Sequence, residues 1–161
     1  MKKYFVSVCT AFLICAQIYG QDARKSLDFI IVINDNIAVG SILSLQIELV
    51  SERGKEVIAA SYYPGNLSLT EIDYNKLMSD SSKAVKLKFI NYEYTGQNQA
   101  AYNYDIEVKR EWLRDYFNIL RIYDLDKKKY KARYEPSGVG KNYAYEIQSP
   151  SHSYRLVEKR K

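Results

Sequence analysis

His152 is the one histidine in the chain. It lies in "SPSHSY", with Ser151 and Ser153 on either side. A Ser–His–Asp relay needs its imidazole held by a carboxylate and set against a serine hydroxyl. Neighbouring residues of an extended segment point apart, and no G-x-S-x-G elbow occurs in the sequence. The expectation is a loop histidine, not a general base.

Metal chemistry is equally short of ligands. A zinc site wants several His or Cys side chains, and the only cysteines, Cys9 and Cys15, lie in the apolar N-terminal run. Asn34, Asp35 and Asn36 in "NDN", with Asp124 and Asp126 in "DLD", offer oxygen ligands. The spaced D-x-[DN]-x-[DN]-G loop of a calcium site is absent. Asn and Asp tolerate left-handed angles, so "NDN" predicts a tight turn. Asp105 and Glu107 share one face of a candidate strand, but on its wet side, where acids serve solvation. No glycine loop of the phosphate-cradling kind is present. The reading is a non-enzyme with no catalytic residue, no cofactor and no metal.

Binding chemistry is better represented. "DKKKYKARYEP", from Asp126 to Pro136, threads Lys127, Lys128, Lys129, Lys131 and Arg133 around Tyr130 and Tyr134. "NYAYE" adds Tyr143 and Tyr145 a short way downstream. As an edge strand, "KKYKARY" packs its tyrosines and turns its cations to water, which also discourages edge-to-edge pairing. As a ligand site, the same residues form a basic, aromatic surface for a polyanion. These nine residues are the candidate binding surface, with the basic tail 159–161 as an extension.

The elements that must carry them follow a period of two. "ILSLQIELV" puts Leu43, Leu45, Ile47 and Leu49 on one face and Ser44, Gln46 and Glu48 on the other. "AYNYDIEVK" does the same with Tyr102, Tyr104, Ile106 and Val108 against Asn103, Asp105, Glu107 and Lys109. Such strands are half-buried and antiparallel. Residues 27–33 are apolar on both faces, as in a central or sheet-crossing strand. Residues 42–50 and 56–63 form a hairpin across "SERGK", with Gly54 in a left-handed conformation. In "AVKLKFINYEY" the apolar phase switches near Phe89–Ile90, which predicts a bulge there or a strand that changes sheet. Residues 116–125, "KKYKARY", "NYAYEIQ" and "SYRLVEK" complete the strands.

Helix is scarce. Thr70 caps a short one with Asp73 three residues on, and Tyr74, Leu77 and Met78 share its inner side. Trp112, Leu113, Tyr116 and Phe117 meet at helical spacing in a second. The sum is an all-β, antiparallel sandwich with one or two short helices. This arrangement resembles the immunoglobulin-like and transthyretin-like sandwiches of bacterial envelope proteins, in pattern alone over residues 27–158. The Cys…Trp…Cys signature of true immunoglobulin domains is missing.

The N-terminus predicts export. Lys2 and Lys3 precede an apolar run from Tyr4 to Ile18, and small Gly20 precedes polar "QDARKS". That is the layout of a secretory signal over residues 1–20. Bulky Ile14 before Cys15 argues against lipoprotein processing. Cleavage removes both cysteines, so no disulfide framework follows. It also removes Lys2 and Lys3, which lowers the net charge from +5 to +3, too mild for a nucleic-acid partner. About 140 residues remain, one domain by size, read as residues 27–158. The chain holds sixteen tyrosines against one tryptophan, a bias that suits strands and contact surfaces alike. The expected function is an exported β-sandwich of the periplasm, outer envelope surface or extracellular space. It binds another envelope or extracellular protein or serves as a structural part of the envelope. The alternative is a glycan- or polyanion-binding module whose partner is a polysaccharide. No transmembrane segment is expected after cleavage.

Overall fold

The computed structural model describes residues 23–52, 54–79 and 84–159. The signal reading over residues 1–20 and the tail residues 160–161 therefore lie outside the described residues. Among those described, the strands run β1 (Arg24–Leu27), β2 (Phe29–Ile33), β3 (Asn36–Ile37), β4 (Ile42–Ser51), β5 (Gly54–Ala59) and β6 (Ser61–Tyr63). Then follow β7 (Asn66–Thr70), β8 (Ala84–Thr95), β9 (Asn98–Val108), β10 (Asn118–Asp124), β11 (Tyr143–Gln148) and β12 (Ser153–Tyr154). Three short helices interrupt them: α1 (Glu71–Met78), α2 (Arg110–Leu113) and α3 (Lys128–Lys131).

The fold is all-β and sandwich-like, in three sheets ordered β1-β7-β6, β12-β11-β10-β2-β3 and β5-β4-β8-β9. One core joins them: Leu27, Phe29, Leu67, Leu120 and Ile147 pack in the same cluster as Ile47, Leu87 and Ile106 of the four-stranded sheet. The apolar run 27–33 does cross between sheets. It breaks at Asp28, with β1 in the three-stranded sheet and β2 in the five-stranded one. Every ladder is antiparallel except β2 with β10, which is parallel. The chain between them builds the whole four-stranded sheet, which supplies the long crossover that a parallel pair requires.

The β4–β5 hairpin forms as the alternation predicts, closing at Ser51 opposite Gly54, whose φ is 129°. "NDN" is a two-residue hairpin turn with Asn34 and Asp35 both at positive φ, 52° and 69°. Thr70 caps α1 by accepting the Asp73 N–H at 3.1 Å, and Leu77 is buried beneath it.

Four expectations need correction. The bulge belongs to β4, not β8: Leu43 faces Ile90 and Gln46 faces Lys88, so two β4 residues oppose Phe89. Ser44 takes φ 51° to make the step. The step also carries Leu43 out of the inner phase, leaving it 53% exposed. The strand read over residues 56–63 is two strands, and β6 pairs with β7 in another sheet. The second helix stops at Leu113, because the Asn118 side chain donates to the Trp112 carbonyl at 3.0 Å and turns the chain into β10. Tyr116 is then left 89% exposed. Finally, "KKYKARY" is not an edge strand: its first four residues form the helix α3, and only Tyr134 makes a β-bridge, to Glu158.

Removing the ring of fully buried Phe29 is expected to cost about 3–5 kcal/mol in Phe29→Ala. Leu43→Ala, on the bulged and exposed segment, is expected to stay within about 0.5 kcal/mol. Urea denaturation of the two variants checks the pair, and equal losses would contradict the β4 register.

Candidate functional site

Tyr130 in α3 and Tyr134, three residues past its end, lie on the same side of the chain, with the Tyr134 N–H donating to the Tyr130 carbonyl at 2.9 Å. Their rings pack on Tyr123 of β10, with centroids 5.0 and 4.9 Å away. An i, i+4 pair fits a helix as well as alternation does, which is why the segment reads both ways from sequence. Tyr130, Tyr134, Tyr143 and Tyr145 are only 5–6% exposed. The exposed tyrosine strip that a glycan would stack on is therefore absent; these rings belong to the interior.

The cations around them are mostly engaged. Lys127 pairs with Glu93, Lys129 donates to Asp35 at 2.9 Å, and Arg133 meets Glu158 at 3.0 Å. Tyr130 donates its hydroxyl to the same Asp35 oxygen at 2.8 Å. The hydrogen bonds from Lys129 and Tyr130 hold the Asp35 carboxyl below the usual aspartate range. Lys128 and Lys131 point to water on the exposed side of α3. The start of the basic tail is tied beside them: the Lys159 N–H bonds to the Arg133 carbonyl and its Nζ to the Lys131 carbonyl at 2.8 Å.

Tyr143 and Tyr145 do something sequence alone did not suggest. The four-stranded sheet ends at β9, whose outer backbone groups have no strand partner among the described residues. The Tyr143 hydroxyl accepts from the Asp105 N–H at 2.9 Å and donates to the Asp105 carbonyl at 2.7 Å. Lys141 donates to that carbonyl as well, at 2.6 Å. The Tyr145 hydroxyl reaches the Glu107 carbonyl at 3.4 Å. Two phenols of β11 thus stand in for a missing strand. Burial pushes the Tyr145 hydroxyl up to about 12 and raises that of Tyr143, so both stay protonated donors near neutrality.

This seal covers only one half of the edge. Side-chain and backbone direction repeat every two residues along a strand, so Gln99, Ala101 and Asn103 present their N–H and C=O groups the same way as Asp105. No backbone bond from another element reaches those three among the described residues, and all three are exposed. A cleft of about 720 Å³ runs beside Ala101 and Asn103, lined also by Gln46, Lys88, Asp105, Lys141 and Asn142. On its outer wall Lys86 and Lys88 approach the Asp105 carboxylate at 3.7 and 3.6 Å, and Lys88 also holds Glu48 at 2.8 Å.

At the base of the cleft lies the buried Asp124. It accepts from the Tyr104 hydroxyl at 2.7 Å and from Asn34 Nδ2 at 2.6 Å, while its own N–H donates to Asn34 Oδ1. Burial raises its carboxyl above the usual range and raises the Tyr104 phenol as well. Both carboxylate oxygens are thereby held by the fold, joining β9, β10 and the β2–β3 turn. His152 Nδ1 lies 3.4 Å from Asp115. The Ser149 hydroxyl bonds to Asp115 and to the His152 carbonyl, not to the imidazole. The group clasps a turn and has no hydroxyl placed for proton relay to His152. Among the described residues no group of three His, Cys, Asp or Glu side chains could hold a metal, and no helix is long and apolar enough to cross a membrane.

The chain matches no family model, no curated protein and no solved structure.

Loss of the phenol in Tyr143→Phe leaves the Asp105 N–H without its partner and is expected to cost about 1–3 kcal/mol. Tyr116→Phe, at an exposed ring, is the control and should cost nothing measurable; equal effects in urea denaturation would contradict the seal. Acid acts through the lowered carboxyls. Asp115, held down by Ser149, and Asp35 add stability above the ordinary aspartate value of about 4. That stability is lost as pH falls through their lowered folded values. Asp115→Asn is expected to lower the melting temperature near neutrality and to converge with the parent chain in acid. A gap that widens in acid would contradict the assignment.

Proposed function

We propose that this chain is an exported, non-enzymatic component of a bacterial cell envelope that binds or assembles with another protein, and that the open edge of β9 is where it engages. One observation carries the reading: the longest edge strand of the fold is sealed at Asp105 and Glu107 and left open from Gln99 to Asn103. An added strand takes up such an edge with main-chain hydrogen bonds, and the adjoining cleft offers room for its side chains. The carboxyl and histidine clusters are engaged in holding strands and turns, which favours a binding role over a reaction. The export signal read from the sequence over residues 1–20 supports a partner outside the cytoplasm.

The second reading, a glycan- or polyanion-binding module, loses its tyrosines but keeps its cations. The exposed Lys128 and Lys131, with Lys159 docked beside them, gather positive charge on one side of α3. An acidic polysaccharide would meet them through charge, not ring stacking.

Ala101→Pro tests the first reading. It removes an outward N–H, which proline at an edge strand tolerates, and leaves the ladder to β8 in place. Envelope proteins retained by the tagged parent chain are expected to be lost by this variant at an unchanged melting temperature; equal retention would overturn the reading. For the second, Lys128→Gln with Lys131→Gln should elute from a heparin column at lower salt than the parent chain. Coincident elution would remove the polyanion reading.

A further inference from the structure

We propose that the protein received at β9 is a second copy of this chain, paired antiparallel with the first about Ala101. This rests on the reading of β9 as the engaging edge and names its occupant.

The edges of the fold are not alike. β3 and β12 are two residues long and β6 is three. β1 carries Arg24 and Lys25, and β5 carries Lys55 and Glu56. Short length and charge are the usual protections against edge pairing. β9 is eleven residues long. From Asn98 to Tyr104 it reads "NQAAYNY", with no charge, no proline and no glycine. The charged part, Asp105 and Glu107, is the part already sealed by Tyr143 and Tyr145. Protection is thus missing where the backbone is open.

An antiparallel pair about a two-fold axis is self-complementary: each copy offers the other the same groups. With Ala101 on the axis, Ala101 faces Ala101, and Gln99 faces Asn103 in both directions. Bonded residues exchange both hydrogen bonds across about 5.5 Å between Cα atoms, which makes about six bonds in all. Ala101 is small enough to let the strands close. Gln99 and Asn103 bring amides opposite each other, and Asp105 falls opposite Gln97, so like charges do not meet. A partner of strongly acidic or basic sequence has no such match along this neutral stretch. The pairing would join two four-stranded sheets into one.

Sedimentation of the exported, purified chain reads the outcome directly. The parent chain is expected to sediment with twice the monomer mass, and Ala101→Pro with the monomer mass at an unchanged melting temperature. Under mild oxidation, Ala101→Cys should form a linked dimer many times faster than Tyr116→Cys, because bonded Cα pairs lie within disulfide range. A parent chain that stays monomeric at every loading, or an Ala101→Pro variant that remains dimeric, overturns self-pairing. A monomeric parent whose capture of an envelope protein is lost on Ala101→Pro sinks the second copy and leaves the open-edge reading standing. A monomeric parent with undiminished capture by the variant sinks both.

Discussion

Backbone groups at the seams of a small sandwich must find partners, and in this protein phenol hydroxyls supply them. Tyr143 serves both the N–H and the C=O of Asp105, Tyr145 serves Glu107, and Tyr62 accepts the Ile31 N–H of β2 at 2.8 Å. A buried polar group left without a bond costs about 1–3 kcal/mol, a large fraction of what a domain of this size retains as net stability. The ring of each tyrosine fills core space while its tip reaches the strand that no neighbour covers. Three sheets can therefore meet around one core without a disulfide in the described chain.

The same geometry accounts for the tyrosine content better than a ligand does. Tyr104 bonds Asp124, Tyr130 bonds Asp35, and Tyr123 packs the rings of Tyr130 and Tyr134. Each ties an element to a distant one: Tyr104 to β10, Tyr130 to the β2–β3 turn. The lysines between the tyrosines then serve two purposes. Lys129 completes the Asp35 contact and Lys127 reaches Glu93 of the β8–β9 hairpin, while Lys128 and Lys131 remain a wet cationic surface.

What the sequence carried most plainly was the period of two. Leu45, Ile47, Leu49, Tyr104, Ile106 and Val108 are buried as their alternation requires. Thr70 and Asp73 form their cap, and "NDN" its turn, because these features are encoded within a few residues. The failures have a common cause in side-chain and cross-strand contacts that residue spacing does not encode. Asn118 ends α2 through the Trp112 carbonyl, a bond that spacing could not announce. The apolar phase shifts in the sequence of β8, yet the extra residue is Ser44 on the facing strand. Tyr130 and Tyr134 satisfy helix and strand spacing equally, and Tyr123, seven residues before the first of them, decides between the two. The β9 edge was legible only in part: its neutral stretch "NQAAYNY" is visible in sequence, but its position at the rim of a sheet is not.

Amide hydrogen exchange at Asp105 tests the central claim most directly. Ile106, its neighbour, lies opposite Leu87 within the sheet, whereas the Asp105 N–H points away from the sheet and meets only the Tyr143 phenol. If that phenol replaces a strand, Asp105 exchanges slowly, with protection comparable to the amides bonded between β8 and β9. Exchange at Asp105 as fast as at the exposed turn between β8 and β9 would contradict the account.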